Sequence, residues 1–321
     1  MAEIIPVIFG GVPDSYDVAR AFHECYGVKS HVFDTRSIPV INHSSLITAH
    51  VVENLKSPDA VASEVGHIAS RHEGAALILY GCTNEYAALI TDARKRGLLP
   101  PMCVSPLPDA RCYNILKDKK EFFLLCDKYG VPHNDGAAIP GTRHILTTYS
   151  DRRGRVRMAC LCDVVLMGRT PTALITASDT ELTSRIRRVL DGERYVGLCS
   201  FDLFRDRKSG QFLVRGAELC RSYGSSYMTA AGANVAEFIV RDLIFGEDLP
   251  YFETDREIFW HCIPKSKVRR HIRNTETSER VRYLCRTHSC ESTPYLGCDR
   301  KYNPLRALRI AGMLLRERTA H

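Results

Sequence analysis

Asp202 and Glu218 are the residues in this chain best placed to do chemistry. Each lies in a short run, 195–206 and 211–219, whose apolar and polar positions alternate, and Lys208-Ser209-Gly210 separates the two runs. That pattern predicts a β-hairpin with one acid in each arm. A pivot near Gly210 would set the two carboxylates directly opposite each other. Cross-strand Cβ atoms on one face are roughly 4.5–5.5 Å apart, and like charges there repel. A cation between them would relieve the repulsion. Mg²⁺ fits, because it is held by one or two carboxylates together with substrate phosphates. The pair therefore points to nucleotide-phosphate chemistry. The plainer alternative puts the acids on opposite faces, or leaves one solvated while the other pairs with Arg205 or Arg215.

The elements that would hold this hairpin follow from apolar periodicity. Over the first 110 or so residues strands alternate with helices: strand 4–9, helix 14–26, strand 31–33, helix 59–71, strand 75–80, helix 84–96 and a short strand 102–104. Such alternation predicts βαβ units and a parallel sheet. Gly10-Gly11 after the first strand lacks the remainder of a G-x-G-x-x-G fingerprint, so a tight structural turn is the better reading. Residues 116–133 are predicted as one amphipathic helix stopped at Gly130 and Pro132. A hairpin around residues 151–154, a helix at 179–191, a helix at 232–245 and a closing helix at 304–317 complete the expected order.

Composition bounds the class. The chain has 321 residues, 45% of them hydrophobic and 25% charged, which is ordinary for a globular protein of two or three domains. No apolar run reaches the ~20 residues needed to cross a bilayer. The opening MAEIIPVIFGG carries an acid where a signal peptide is basic, so it reads as a first strand, and a cytoplasmic location is expected. Thirteen dispersed cysteines point to reduced thiols rather than a disulfide framework. A net charge of +7 suits an anionic small molecule and is too weak and dispersed to imply nucleic acid.

Three segments together resemble the ATP-grasp superfamily, in its carboxylate–amine ligase branch, which includes D-aspartate ligases. They are Asp118-Lys119-x-x-Phe122 with Gly130-Val131-Pro132; Phe201-Asp202 with Glu218-Leu219-Cys220-Arg221; and Ser225-Ser226-Tyr227-Met228-Thr229-Ala230-Ala231-Gly232. Asn303-Pro304-Leu305-Arg306 is similar to that branch's C-terminal extension. The resemblance implies an α/β fold: a Rossmann-like preATP-grasp domain (1–114), an abbreviated ATP-grasp α+β domain (115–249) and a C-terminal extension (250–321). It implies an ATP- and Mg²⁺-dependent ligase, with Mn²⁺ as a substitute ion, that joins a carboxylate to an amine through an acylphosphate. The substrates would be small molecules of amino-acid type, a cell-wall precursor among them. No nucleic-acid or membrane partner is implied, and a homodimer is compatible with it. By carry-over, Asp202 and Glu218 would hold the metal. Lys119 would touch ATP phosphates, Cys220 would occupy a cofactor-binding position, and Arg221 would act catalytically on the transferring phosphoryl group.

The chain departs from the pattern in two ways. Only residues 133–138 separate Gly130-Val131-Pro132 from Ile139-Pro140-Gly141, and no lysine occurs in residues 129–207. A whole lobe of the ATP clamp is therefore expected to be missing, with a smaller gap near Thr170-Pro171. Cys220 stands where the family has a metal-site Asn, and a thiol is a poor ligand for hard Mg²⁺. These changes favour, as the second reading, a catalytically impaired homologue with a binding or regulatory role. Arg143, Arg155 and Arg157 are candidates to replace the missing cations, although Arg and Lys are not interchangeable at such sites.

Other features have ordinary readings. Lys119 is equally well explained as a solvated helix lysine. Cys285, His288, Cys290 and Cys298 match no common zinc spacing. Cys160 and Cys162 share one face of a strand and read as buried thiols. The basic stretch Lys265, Lys267, Arg269, Arg270 and Arg273 reads as a solvated face or a contact for an acidic substrate.

Overall fold

The structure, a computed structural model, describes residues 3–134, 141–168, 171–219 and 226–292. The N-terminal part alternates strand and helix: β1 (Ile4–Phe9), α1 (Pro13–Tyr26), β2 (Ser30–Asp34), β3 (Ile47–Val51), α2 (Pro58–Ala69), β4 (Ala76–Gly81), α3 (Asn84–Lys95) and β5 (Cys103–Val104). The strands pair in the order β3-β2-β1-β4-β5, all parallel. All six residues of β1 are buried, which is why that strand reads as an unbroken apolar run. Ser57 and Thr83 start α2 and α3 by accepting the amides of Ala60 and Tyr86. β3, whose side chains are mostly exposed, was not anticipated from the sequence.

The turn after β1 is closed by the chain itself. Gly10 has φ +103°, the Ser15 hydroxyl donates to its carbonyl, and the Asp34 carboxylate accepts the Gly11 amide. The structural reading of Gly10-Gly11 accounts for all of these contacts.

The expected helix over 116–133 is two helices: α4 (Ala110–Lys117) and α5 (Lys119–Lys128). The Asp118 carboxylate accepts the amides of Lys120 and Glu121, so the residue that ends α4 also caps α5. Then come β6 (Gly141–Ser150), β7 (Val156–Met167), β8 (Pro171–Ala177), α6 (Thr180–Gly192), β9 (Gly197–Asp206) and β10 (Phe212–Leu219). The remaining elements are α7 (Ser226–Ala230), α8 (Val235–Leu243), β11 (Phe252–Glu253), β12 (Phe259–His261), α9 (Lys265–His271), α10 (Thr275–Arg286) and β13 (Cys290–Ser292). The second sheet runs β10-β9-β6-β7-β8-β12-β13, with β11 beside β7. α5 leads to β6 with only residues 129–140 between them, as the short Gly130-to-Gly141 spacing requires.

Each face of this second sheet is covered. Leu146, Leu161, Phe201, Leu203 and Leu219 belong to one core with residues of α4, α5 and α6. Ile145, Tyr149, Met158, Cys160 and Leu198 belong to another with residues of α1, α7 and α8. The second core continues into the N-terminal part through Tyr16 and Phe22 of α1 and Ile8 of β1. Gly197 lets β9 start close to the inter-sheet segment: at φ +97°, a Cβ there would lie 2.0 Å from the Pro106 carbonyl oxygen.

All eleven cysteines among the described residues are free thiols. No group of three or more His, Cys, Asp or Glu among the described residues is arranged to hold a metal; Cys298 and the helix expected at 304–317 lie outside them. No helix among the described residues is long and apolar enough to cross a membrane.

Candidate functional site

The β9–β10 hairpin is tighter than its sequence suggests. The Asp206 amide donates to the Gln211 carbonyl and the Gly210 amide to the Asp206 carbonyl. The Asp206 carboxylate also accepts the Ser209 hydroxyl and the amides of Lys208 and Ser209, which holds it below the usual carboxylate range. The turn therefore centres before Gly210. A β-bulge between Val214 and Gly216 then shifts the ladder by one residue. Asp202 faces Gly216, and Glu218 faces Ser200.

This corrects the expected register: the two acids are diagonal neighbours, not directly opposed. The error is an even number of residues, and side chains alternate with period two, so both still project from one face. Diagonal neighbours lie roughly 7–8 Å apart, a spacing that long side chains or a bridging ion can span.

Asp202 already has a cation. Arg143 of β6 binds it through two parallel bonds, Nε to Oδ1 at 2.7 Å and Nη2 to Oδ2 at 3.0 Å. Both side chains are partly exposed, at 34% for Arg143 and 22% for Asp202. The same face continues inward as a polar strip. Thr147 Oγ1 lies 2.8 Å from Ser200 Oγ and 3.1 Å from the Tyr227 hydroxyl. Tyr227 is fully buried, and burial, then the thiols of Cys162 and Cys160, pushes its phenol well above the ordinary value. α7, which carries Tyr227, begins directly after residues 220–225; Cys220 and Arg221 lie in that stretch, outside the described residues.

Lys119 is placed elsewhere. It opens α5, with its ammonium 5.4 Å from the Phe123 ring. Phe122, three residues on, packs against Phe201 at 6.3 Å between ring centroids. Phe201 points to the opposite side of β9 from Asp202. α5 therefore covers the far side of the sheet from the two acids. Of the substitute cations, Arg143 is committed to Asp202, and Arg157 to Asp151 at 2.6 Å and Asp248 at 2.5 Å. Arg155 is exposed.

That far side holds a cluster that sequence reasoning missed. His144, Asp163, Asp179, Arg205, Glu257 and Arg280 line a cleft of about 380 Å³. His144 Nδ1 lies 2.9 Å from Asp163 Oδ1, and its Nε2 lies 2.8 Å from Thr142 Oγ1. Arg280 joins Asp163 to Glu257. Burial raises the Asp163 carboxyl, but hydrogen bonds from His144 and Arg280 outweigh it and hold the carboxyl below its usual range. The β6–β7 hairpin itself was legible. The bulge between Tyr149 and Ser150 that brings His144 opposite Asp163 was not.

No family model matches the chain. It is 19% identical to a D-aspartate ligase of Enterococcus faecium, over 93% of this chain and 91% of the relative. That alignment runs over 389 positions, more than the 321 residues present, so part of the relative faces a gap here. Among solved structures, the N5-carboxyaminoimidazole synthetase of Staphylococcus aureus matches at TM-score 0.60 and 10% identity, over 81% of this chain and 83% of that one. The biotin carboxylase domain of the Hydrogenobacter thermophilus 2-oxoglutarate carboxylase, a dimer solved with MgADP and bicarbonate, matches at 0.60 and 12% identity, over 79% and 73%. The multifunctional pyruvate carboxylase of Rhizobium etli matches at 0.54 and 15% identity over 74% of this chain, which spans only 23% of that protein. With the motifs around Asp118, Asp202 and Tyr227, the two sheets and these matches identify the architecture: the chain has the ATP-grasp fold.

Proposed function

We propose that the protein is an ATP- and Mg²⁺-dependent carboxylate–amine ligase acting on an amino-acid type substrate, organised in the three parts 1–114, 115–249 and 250–321 and working in the cytoplasm. The observation that carries this reading is the shared face of Asp202 and Glu218 on adjacent strands of a chain whose sequence aligns over 93% of its length with a D-aspartate ligase. Their carboxylate oxygens suit a hard divalent ion. Bound there, Mg²⁺ would neutralise triphosphate oxygens as charge builds up on them. Asp202 and Glu218 would fix its position, and Arg143 would yield one carboxylate oxygen or stay as a second positive centre. Arg221, next to the strand that carries Glu218, would face the transferring phosphoryl group, and Cys220 would line the same site. The γ-phosphoryl group would pass from ATP to the carboxylate with release of ADP, and the amine would then displace phosphate from the acylphosphate and lose a proton to give the amide. Lys119, the carried-over phosphate contact, opens a helix on the other side of the sheet from the two acids.

The direct assay is release of ADP and phosphate that requires an amino-acid carboxylate and an amine together. A panel of amino acids and amines that elicits no release beyond background would remove catalysis. The second reading, a catalytically impaired homologue with a binding or regulatory role, is favoured by the direct passage from α5 to β6 and by the absence of lysine from residues 129–207.

A further inference from the structure

The chain's positive charge is unevenly placed. The net charge is +7, and residues 265–286, which span α9 and α10, alone hold eight Lys or Arg against two Glu. Within this pair Arg280 is committed to Asp163 and Glu257. Arg269, Arg270, Arg273, Arg282 and Arg286 are all exposed, and among the described residues none of them is joined to a carboxylate. Arg282 and Arg286 are one turn apart on α10, where like charges repel. Arg269, Arg282, Tyr283 and Arg286 border an open groove of about 650 Å³, and Tyr283 is 59% exposed.

We propose that this α9–α10 face docks an acidic segment of a partner protein. Guanidinium groups bind carboxylates through paired, planar hydrogen bonds and are less strongly hydrated than ammonium groups. Arg and Tyr are also the residue types enriched at protein interfaces, where Lys is depleted. The groove is lined by four arginines, Tyr283 and a single acid, Glu279, with no lysine. A single-stranded nucleic acid would call for a series of aromatic platforms on which successive bases stack, and Tyr283 is the one aromatic residue in the lining. The chain's own residues 293–321 cannot supply the acid: they carry six Lys or Arg against two acids. A second polypeptide with clustered Asp or Glu matches the charge and the guanidinium chemistry of this face.

The test uses the full chain and two labelled probes, an oligoglutamate peptide and an oligothymidylate of equal charge, read by fluorescence anisotropy. Arg282→Gln/Arg286→Gln is compared with the charge-matched control Lys56→Gln/Lys95→Gln, exposed lysines far along the chain from this face. In the first variant oligoglutamate binding should weaken by about tenfold or more, and in the control by less than about twofold, with wild-type binding falling steeply as salt shortens the Debye length. Equal weakening in both variants would overturn the proposal, as would no wild-type binding at low salt. Oligothymidylate binding about tenfold tighter than oligoglutamate would overturn it too, and would assign the face to nucleic acid.

Discussion

Arg143 and Asp202 form a two-bond ion pair, at 2.7 and 3.0 Å, on the sheet face that also carries Glu218. A guanidinium and a divalent ion would compete for the same carboxylate. Arg143→Gln should therefore tighten Mn²⁺ binding, measured by calorimetry, by about tenfold, and adding Asp202→Asn should abolish the gain. The pair is partly exposed, so the same substitution should change stability by only about 0–1 kcal/mol.

Asp242 links the turn of the β6–β7 hairpin to α8. It is fully buried and accepts the Tyr149 hydroxyl at 2.8 Å, the Arg152 amide at 2.8 Å and the Arg152 guanidinium at 2.7 Å. Asp242→Ala would leave the Tyr149 hydroxyl and the Arg152 amide unmatched, while the Arg152 guanidinium keeps the carbonyls of residues 242, 246 and 247, and should lower the unfolding free energy by ~2–4 kcal/mol in urea titrations. Tyr149→Phe, which removes one donor, should cost only ~1–2 kcal/mol.

Gly197→Ala should destabilise the strand that carries Asp202. The new methyl would press on the Pro106 carbonyl, 2.0 Å from the ideal Cβ position, at a φ of +97° that side chains rarely adopt. A loss of ~1–3 kcal/mol is expected, with the hairpin amides exchanging faster with solvent.

His31 gives the N-terminal sheet a pH dependence. Its Nδ1 lies 2.9 Å from His50 Nε2, and the His72 ring meets its own edge-on. Burial, then the neighbouring His50 and His72, lowers its pKa from 6.5 to about 4. The unfolded chain therefore takes up this proton at higher pH than the folded one. The stabilising contribution is complete above pH 6.5 and is lost as pH falls toward 4. His31→Gln should flatten the stability profile across that window, measured by denaturant unfolding at a series of pH values.

The long, strongly patterned elements were legible in the sequence. Val7, Ile8 and Phe9 announce a doubly covered strand, and the alternation from Ile145 to Cys162 announces a hairpin. What failed was local geometry. β3 is, among the described residues, an edge strand paired to β2, with Thr48, Ala49 and Val51 exposed, so no apolar period marks it. β8 is a short apolar run, a pattern that does not by itself separate a buried strand from a buried helix segment. Asp118 sits inside a run of good helix formers, yet its carboxylate caps a new helix. Bulges at Val214/Gly216 and Tyr149/Ser150 set the registers around Asp202 and His144, and a bulge leaves almost no mark on the sequence. The shared face of Asp202 and Glu218 could still be read, because an even register error preserves it.

The measurement that bears most directly on the ligase reading is the melting temperature with and without Mg·ATP, for wild type, Asp202→Ala and Glu218→Ala. A ligand at about a hundred times its Kd stabilises the native state by ~2.7 kcal/mol, a shift of several degrees. The account predicts that shift in the wild type and its loss in both variants. A shift of the same size in all three proteins would place the nucleotide away from the two acids and contradict the proposal.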